Sequence, residues 1–129
     1  MFHALQNVFA VGTNTSAATM VWSMTYLMNN PRAMKKVQME IRSLIGGNKG
    51  FVNENDVQEL HYLKAVVKET IRLQPTESLL PPRETIENCI IEWYEIQAKT
   101  HVFVIRWAIG RDPETWQNPE EVYPGGICL

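Results

Sequence analysis

The first 29 residues carry apolar side chains at the three- and four-residue spacing of an α-helix. These positions are Leu5, Val8, Phe9, Ala17, Met20, Val21, Met24, Leu27 and Met28. Small residues fill much of the remaining surface, so the helix predicted over about residues 2–29 is apolar on most sides. Helices with this pattern are normally buried. We therefore expect this helix to lie inside something larger than itself.

One stretch inside this helix does not favour helix. Gly12 costs about 1 kcal/mol relative to alanine in a helix interior. The hydroxyls of Thr15 and Ser16 can bond back to preceding carbonyls and bend the helix. Two interpretations remain open: a buried, kinked helix, or a groove where a flat ligand approaches backbone left bare by Gly12. Composition and spacing alone favour the kinked helix.

A second helix is predicted over residues 31–45. Asn30 is suited to an N-cap, Pro31 to the first helical position, and Gly46-Gly47 to the end of the helix. Its charged residues are expected to form a solvated face that binds nothing: Arg32, Lys35, Lys36, Glu40 and Arg42.

The next strong pattern is a mostly buried helix over residues 60–72, preceded by a short capped helix at residues 53–58. Glu69 and Arg72 are three residues apart near its end, so they share a face and can form an ion pair. Pro75 prevents the helix from continuing. A pair at the end of a buried helix is predicted to be structural.

Beyond Pro75 the pattern favours extended chain. Residues 78–105 are predicted to form a small sheet, with strands at Cys89–Ile91 and His101–Ile105 joined through Tyr94–Ile96. Turn signals follow, so residues 106–129 are predicted to be an irregular tail with a short helical piece. The predicted fold class is mainly α with a small β appendix, in a single partial domain.

Composition and residue spacing give no support for three kinds of function: nucleic-acid binding, metal binding and membrane spanning. The formal net charge of −2 over 129 residues gives no reason to expect nucleic acid or an anionic membrane as partner. Cys89 and Cys128 lack CxxC spacing, and His3, His61 and His101 lack ligand-type spacing, so no metal site is predicted. No apolar run reaches the length of a membrane span.

Five segments in this order give a resemblance to plant-type cytochromes P450, which are heme-thiolate monooxygenases. The segments are Phe9–Ser16, Asn30-Pro31, Tyr62–Leu73, Pro82–Thr85 and Trp107–Pro113. The resemblance covers essentially the whole chain, yet the chain corresponds to a minority of a family member's length. It implies a partial cytochrome P450 fold, beginning with the family's long central helix and including its ExxR helix.

The resemblance also implies roles for the polar stretch of the first helix. Residues 11–16 match the family's oxygen-binding groove, where Gly12 and Ser16 lie beside the heme. Thr15 matches the hydroxyl that helps deliver protons to bound oxygen. Asn14 stands where the family usually has a carboxylate, and an amide cannot relay a proton as an acid does.

Further positions follow from the same resemblance. Glu69 and Arg72 match the structural ExxR pair. Arg83 matches a residue that pairs with a heme propionate, and Leu79 and Leu80 match the lining of the substrate pocket. The implied cofactor is heme. The implied partners are a small hydrophobic substrate and an NADPH-dependent reductase.

Several family features are missing from this sequence. Gly126 stands where the family places the arginine that completes the Glu/Arg network. The Phe-x-x-Gly-x-Arg-x-Cys loop that supplies the iron ligand is not found, and Cys128 lacks its spacing. We therefore expect no monooxygenase turnover by this chain alone. Trp93 also replaces a common glycine, which would cost about 1–2 kcal/mol if the turn requires a positive φ.

Three hypotheses for function follow. The first is a fragment of a heme-dependent monooxygenase that oxidises small hydrophobic molecules with O2 and reductase-supplied electrons. The second is a non-catalytic gene remnant or protein-binding helical fragment whose first helix exposes an apolar surface. The third is a small helical protein that binds heme through Arg83 and the Gly12 groove without doing chemistry. Family membership implies the endoplasmic reticulum membrane, although no anchor is present in this chain.

Overall fold

The computed structural model describes residues 2–46 and 52–124, except the side chains of residues 2–8 and 10. Within these ranges the helices are α1 (Phe2–Asn29), α2 (Pro31–Ile45), α3 (Glu54–Gln58), α4 (His61–Leu73) and α5 (Arg106–Ile109). The strands are β1 (Arg83–Glu84), β2 (Cys89–Ile91), β3 (Tyr94–Ile96) and β4 (His101–Val102). The predicted fold class, mainly α with a small β appendix, is confirmed.

The chain divides into two units. The first contains α1 to α4 together with the segment that begins at Glu120, and the second runs from Glu77 to Pro119. In the first unit α1, α2 and α4 contact one another pairwise. Their shared core is apolar and consists of Leu27, Ala33, Val37 and Val66.

The junction between α1 and α2 differs from the predicted cap. Asn30 does not use its side chain to cap α2. Its Nδ2 instead donates to the Tyr26 carbonyl at 2.9 Å, which satisfies an acceptor at the end of α1. Pro31 begins α2, where its missing N–H costs nothing. Gly46 ends α2 with a φ of +34°, a value that favours glycine, and Gly47 lies outside the described residues.

The predicted solvated face of α2 is wrong at one position. Glu40 is half-buried, and both of its carboxylate oxygens accept backbone N–H groups of α4. A charge pattern read along one helix cannot show which residue faces a neighbouring helix end. The short helix α3 does carry its own cap: Asn53 and Asp56 each accept the other's backbone N–H.

Much of the surface of α1 is not covered by the described chain. Seven large apolar side chains along it are 44–72% exposed. We call this surface the α1 flank, and it consists of Phe9, Val11, Met20, Val21, Trp22, Met24 and Met28. The expected burial of this helix is therefore not achieved by contacts within the described residues. No helix in the described ranges has the length and apolarity needed to cross a membrane.

The second unit holds two small antiparallel sheets. In one, β1 pairs with β4 so that Arg83 lies opposite Val102. In the other, β2 pairs with β3 as a hairpin. The sequence prediction differed in two respects, because the segment 94–96 is itself a strand and the predicted strand at 101–105 ends at Val102. A single bridge joins Leu79 to Ile105 beyond that point.

The turn between β2 and β3 contains a strained residue. Glu92 has a φ of +56°, in the left-handed region. Trp93 is not among the residues with positive φ. The expected strain is therefore present in this turn, but one residue earlier than the resemblance implied. A side chain in this region costs about 1–2 kcal/mol because its Cβ crowds the following carbonyl.

We predict that Glu92→Gly raises the free energy of unfolding by about 0.5–1 kcal/mol. Relief of the strain outweighs the extra entropy that glycine brings to the unfolded chain. Trp93→Gly is the matched control and should give no gain, since its φ needs no relief. Urea unfolding followed by circular dichroism measures both. A higher free energy of unfolding for Trp93→Gly, with no increase for Glu92→Gly, would show that the backbone of this turn is not strained at Glu92.

Candidate functional site

The first candidate site is the ion pair near the end of α4. Arg72 Nε donates to Glu69 Oε2 at 2.8 Å, and Arg72 Nη2 donates to Glu69 Oε1 at 2.8 Å. The spacing of three residues places both side chains on one helix face, as predicted. Their side chains are only 7% and 4% exposed. The pair is therefore bidentate and almost fully removed from water.

The same two side chains bind the segment that follows α5. Arg72 Nη2 donates to the Glu121 carbonyl at 2.9 Å, and the Tyr123 backbone N–H donates to Glu69 Oε1 at 3.0 Å. The sequence did not predict these contacts: the resemblance implied a third partner at position 126, which lies outside the described residues. Their partners are backbone groups about 50 residues away, and no residue type signals them.

Burial of the pair follows from the position of α4. Val66 is fully buried, and Thr70 and Leu73 are each 4% exposed. Thr70 also donates its hydroxyl to the Val66 carbonyl at 2.8 Å, so its polar group is satisfied inside the helix. Because this face of α4 packs against α1 and α2, the carboxylate and guanidinium are held in an apolar setting.

The second candidate site is the polar stretch of α1. Thr15 donates its hydroxyl to the Val11 carbonyl, and Ser16 donates to the Gly12 carbonyl, both at 2.9 Å. The helix is continuous through this stretch. Among the described residues, a Cβ built on Gly12 would meet no atom within 4 Å. The backbone at Gly12 is thus bare toward open space, and Asn14 on the same turn is exposed.

The third group of predicted residues lies in the second unit. Leu79 is 53% exposed and forms a bridge with Ile105, while the Leu80 N–H donates to the Val104 carbonyl at 3.0 Å. Arg83 begins β1 and is exposed. The structure therefore brings Leu79, Leu80 and Arg83 onto one extended segment. Gly12, Asn14, Thr15 and Ser16 share one stretch of α1 in the first unit.

A cleft in the first unit was not predicted. It has a volume of about 640 Å³, and Tyr26, Tyr62 and Lys36 are among its lining residues. Burial raises the pKa of Tyr26, and the neighbouring Tyr62 and Glu69 raise it further. Burial also raises the pKa of Tyr62, with Glu40 adding to the effect. Both phenols are therefore harder to deprotonate than the side chain of a free tyrosine.

The described part of the chain offers no clustered metal ligands. Residues 2–46 and 52–124 contain no group of three or more His, Cys, Asp or Glu side chains arranged to hold a metal ion. Cys89 is a free, half-buried thiol on β2. Cys128, considered above for its spacing, lies outside the described residues.

Comparison with known proteins identifies the family. The sequence profile of cytochrome P450 matches residues 2–125. The chain belongs to the cytochrome P450 family. Its plant relatives include cytochrome P450 71B25 of Arabidopsis thaliana, 54% identical over 119 residues, and 5-OH-xanthotoxin synthase of Ammi majus, 58% identical over 125 residues. These alignments cover 92% and 93% of this chain and 24% of each relative. The chain thus spans about a quarter of their length.

Solved structures support the same P450 assignment. A zebrafish cytochrome P450 determined with progesterone is similar to this chain with a TM-score of 0.84 and 28% sequence identity. The similarity covers 92% of this chain and 28% of that protein. A second zebrafish P450 structure, with abiraterone, gives the same TM-score and identity. The partial P450 fold expected from the resemblance is confirmed.

We predict that Glu69→Gln lowers the free energy of unfolding by about 3–5 kcal/mol, because it leaves the Arg72 charge buried without its partner. Replacing both residues by methionine should cost less than the sum of the two single methionine replacements. Urea unfolding followed by circular dichroism provides the measurement.

Glu84→Gln is the matched control. The Glu84 carboxylate is 56% exposed and lies 3.4 Å from His101, so its loss should change stability by no more than about 0.5 kcal/mol. Equal losses of unfolding free energy for the Glu69 and Glu84 substitutions would show that the buried ion pair contributes no more to stability than an exposed one.

Proposed function

We propose that this chain is the part of a heme-thiolate monooxygenase that carries the oxygen-facing helix and the ExxR helix, within one partial P450 domain. The observation that carries the proposal is the family match across residues 2–125. The whole protein would insert one oxygen atom from O2 into a small hydrophobic molecule, with electrons from an NADPH-dependent reductase at the endoplasmic reticulum membrane. The name of one relative, 5-OH-xanthotoxin synthase, supports a hydroxylated product.

The residues present fit part of a heme site. Bound heme would supply the oxygen activation that no side chain provides. Gly12 leaves its backbone open to a flat group, since no atom of the described residues lies within 4 Å of the place of a Cβ. Ser16 lies one turn further along α1. Arg83 is exposed, and its guanidinium fork suits a carboxylate such as a propionate.

Thr15 would hold and pass on a proton. Its Oγ1–H is bound to the Val11 carbonyl, while the oxygen keeps lone pairs that can accept a hydrogen bond from water. To pass its proton on, the hydroxyl would first rotate away from the Val11 carbonyl, and its oxygen would then accept a proton from water as it releases its own. Asn14 can orient a water through its amide, but it cannot gain or lose a proton near neutral pH.

Leu79 and Leu80 would form part of the substrate pocket. Leu79 is half-exposed on an extended segment and offers apolar area to a hydrophobic molecule. Leu80 is partly buried and is fixed through its backbone to Val104, so the segment has a defined position in its unit. This arrangement supports selection by shape and apolar contact rather than by charge.

We predict that a chimera will bind heme with a thiolate ligand when residues 2–125 replace the matching segment of 5-OH-xanthotoxin synthase from Ammi majus. The relative supplies the remaining three quarters of the protein, and this chain supplies the helices described above. The measurement is the carbon-monoxide difference spectrum of the reduced, purified chimera. The parent relative is the positive control.

The 129-residue chain alone, titrated with heme, is the second control. We expect it not to give a thiolate-type spectrum, because the family's ligand loop is not found in its sequence. A soluble chimera that binds no heme, or binds it without a thiolate signature while the parent does, would refute the proposal. A thiolate-type spectrum from the chain alone would refute the assignment of the iron ligand.

In the same chimera, Thr15→Ala should lower the fraction of NADPH electrons recovered as hydroxylated product by about 10-fold. A factor of this size is expected because the variant loses the one hydrogen bond through which Thr15 would donate its proton. Asn14→Asp should raise that fraction by restoring an acid. Thr19→Ala is the matched control. The Thr19 hydroxyl lies one turn later on α1 and makes the same kind of bond, donating to the Thr15 carbonyl at 2.9 Å. Equal losses for the Thr15 and Thr19 variants would remove Thr15 from the proton path.

A second candidate function is favoured by the α1 flank. Seven large apolar side chains on one helix are unusual for a free surface and are typical of a protein contact. In this alternative the chain is a non-catalytic helical fragment held by another protein. Heme incorporation in the chimera separates the two candidates, because a fragment adapted only to protein binding has no need to retain the cofactor site.

A further inference from the structure

Helix α4 begins without a cap from its own sequence. Leu60 occupies the N-cap position and offers no side-chain hydrogen bond, and the first turn contains no acidic residue. The first N–H groups of any α-helix lack partners within the helix. Because this part of α4 is partly buried, those groups need acceptors from elsewhere in the chain.

Glu40 of α2 supplies two of these acceptors. The Tyr62 N–H donates to Glu40 Oε1 at 2.7 Å, and the Leu63 N–H donates to Glu40 Oε2 at 3.0 Å. The His61 N–H is bound to the Glu59 carbonyl at 3.0 Å, and Lys64 makes the first intrahelical bond. Glu40 therefore completes the set of partners for the first turn.

The geometry of this cap is favourable. A carboxylate at a helix N-terminus interacts with the positive end of the helix dipole, and bonds to a charged acceptor are stronger than bonds between neutral groups. Lys36, one turn before Glu40 on α2, lies with Nζ 5.4 Å from the centre of the Tyr62 ring. One face of α2 thus contacts the first turn of α4 through two side chains.

The other end of α4 is fixed by different contacts. Glu69 and Arg72 bind the backbone of Glu121 and Tyr123, as described above. The helix between the two ends has 13 residues and is about 20 Å long. Because a short, continuously hydrogen-bonded helix keeps a fixed rise per residue, a shift of the first turn along the helix axis also shifts the ion pair relative to its backbone partners.

We propose that Glu40 is a positioning residue for the Glu69–Arg72 pair. By accepting the Tyr62 and Leu63 N–H groups it sets the position of α4 along its axis, and this places the pair against the 121–123 segment. This role concerns the packing of the helices and does not depend on heme. A negative result for Glu40 would therefore be distinguishable from a chimera that fails to bind heme.

The test is amide hydrogen exchange, followed by NMR, on the full 129-residue chain. In Glu40→Gln the side chain keeps its size and one acceptor oxygen but loses its charge. Exchange at Tyr62 and Leu63 should accelerate about 2- to 30-fold, the range for loss of a helix cap. Exchange at Tyr123, whose N–H binds Glu69, should accelerate with them. Glu40→Ala should give a larger effect at the same three amides.

Two control variants separate positioning from general stability. Glu59→Gln removes an equal charge beside the same helix end, but the Glu59 side chain is exposed and lies near His61, so Tyr123 should be unaffected. Val66→Ala weakens the core without touching the cap, and should accelerate the protected amides of the first unit together.

The outcomes are distinct. Acceleration at Tyr62, Leu63 and Tyr123 that exceeds the change at other protected amides, with no such pattern in Glu59→Gln, supports the proposal. Acceleration at Tyr62 and Leu63 alone would overturn it, because Glu40 would then be only a local cap. A pattern equal to that of Val66→Ala would also overturn it, as would no change at any of the three amides.

Discussion

The buried pair of Glu69 and Arg72 is the interaction on which the first unit depends. Removal of a carboxylate and a guanidinium from water costs several kcal/mol each, and only close geometry with additional hydrogen bonds offsets that cost. The structure meets both conditions, with two 2.8 Å bonds within the pair and two further bonds to the backbone at Glu121 and Tyr123. The helices α1, α2 and α4 must pack correctly for this geometry to exist.

This dependence links sequence regions that are far apart. Residues of α4 are joined to a segment about 50 positions later, and the beginning of α4 is joined to α2 about 20 positions earlier. Each of these contacts closes a loop, so the entropy lost on closure offsets part of its contribution. The first unit thus combines an apolar core with polar contacts that join distant parts of the sequence.

Local features were predictable from sequence, and contacts between elements were not. The spacing of apolar residues indicated α1 and α4, and the start and stop signals at Asn30-Pro31 and Gly46-Gly47 indicated α2. The three-residue separation of Glu69 and Arg72 indicated their pairing. Glu40 was misread because its neighbours along α2 are solvated, and only the position of α4 shows which way it faces. Asn30 does occupy the N-cap position of α2, but its side chain bonds to α1, because a residue between two helices can cap either one.

The backbone bonds made by Glu69 and Arg72 have a consequence for the residue type at position 123. At positions 121 and 123 the pair contacts main-chain atoms, which every residue type except proline supplies in full. The bonds themselves place no demand on the type of side chain, and only proline at 123 would remove the donor. Any other residue at 123 keeps the N–H that attaches this segment to Glu69.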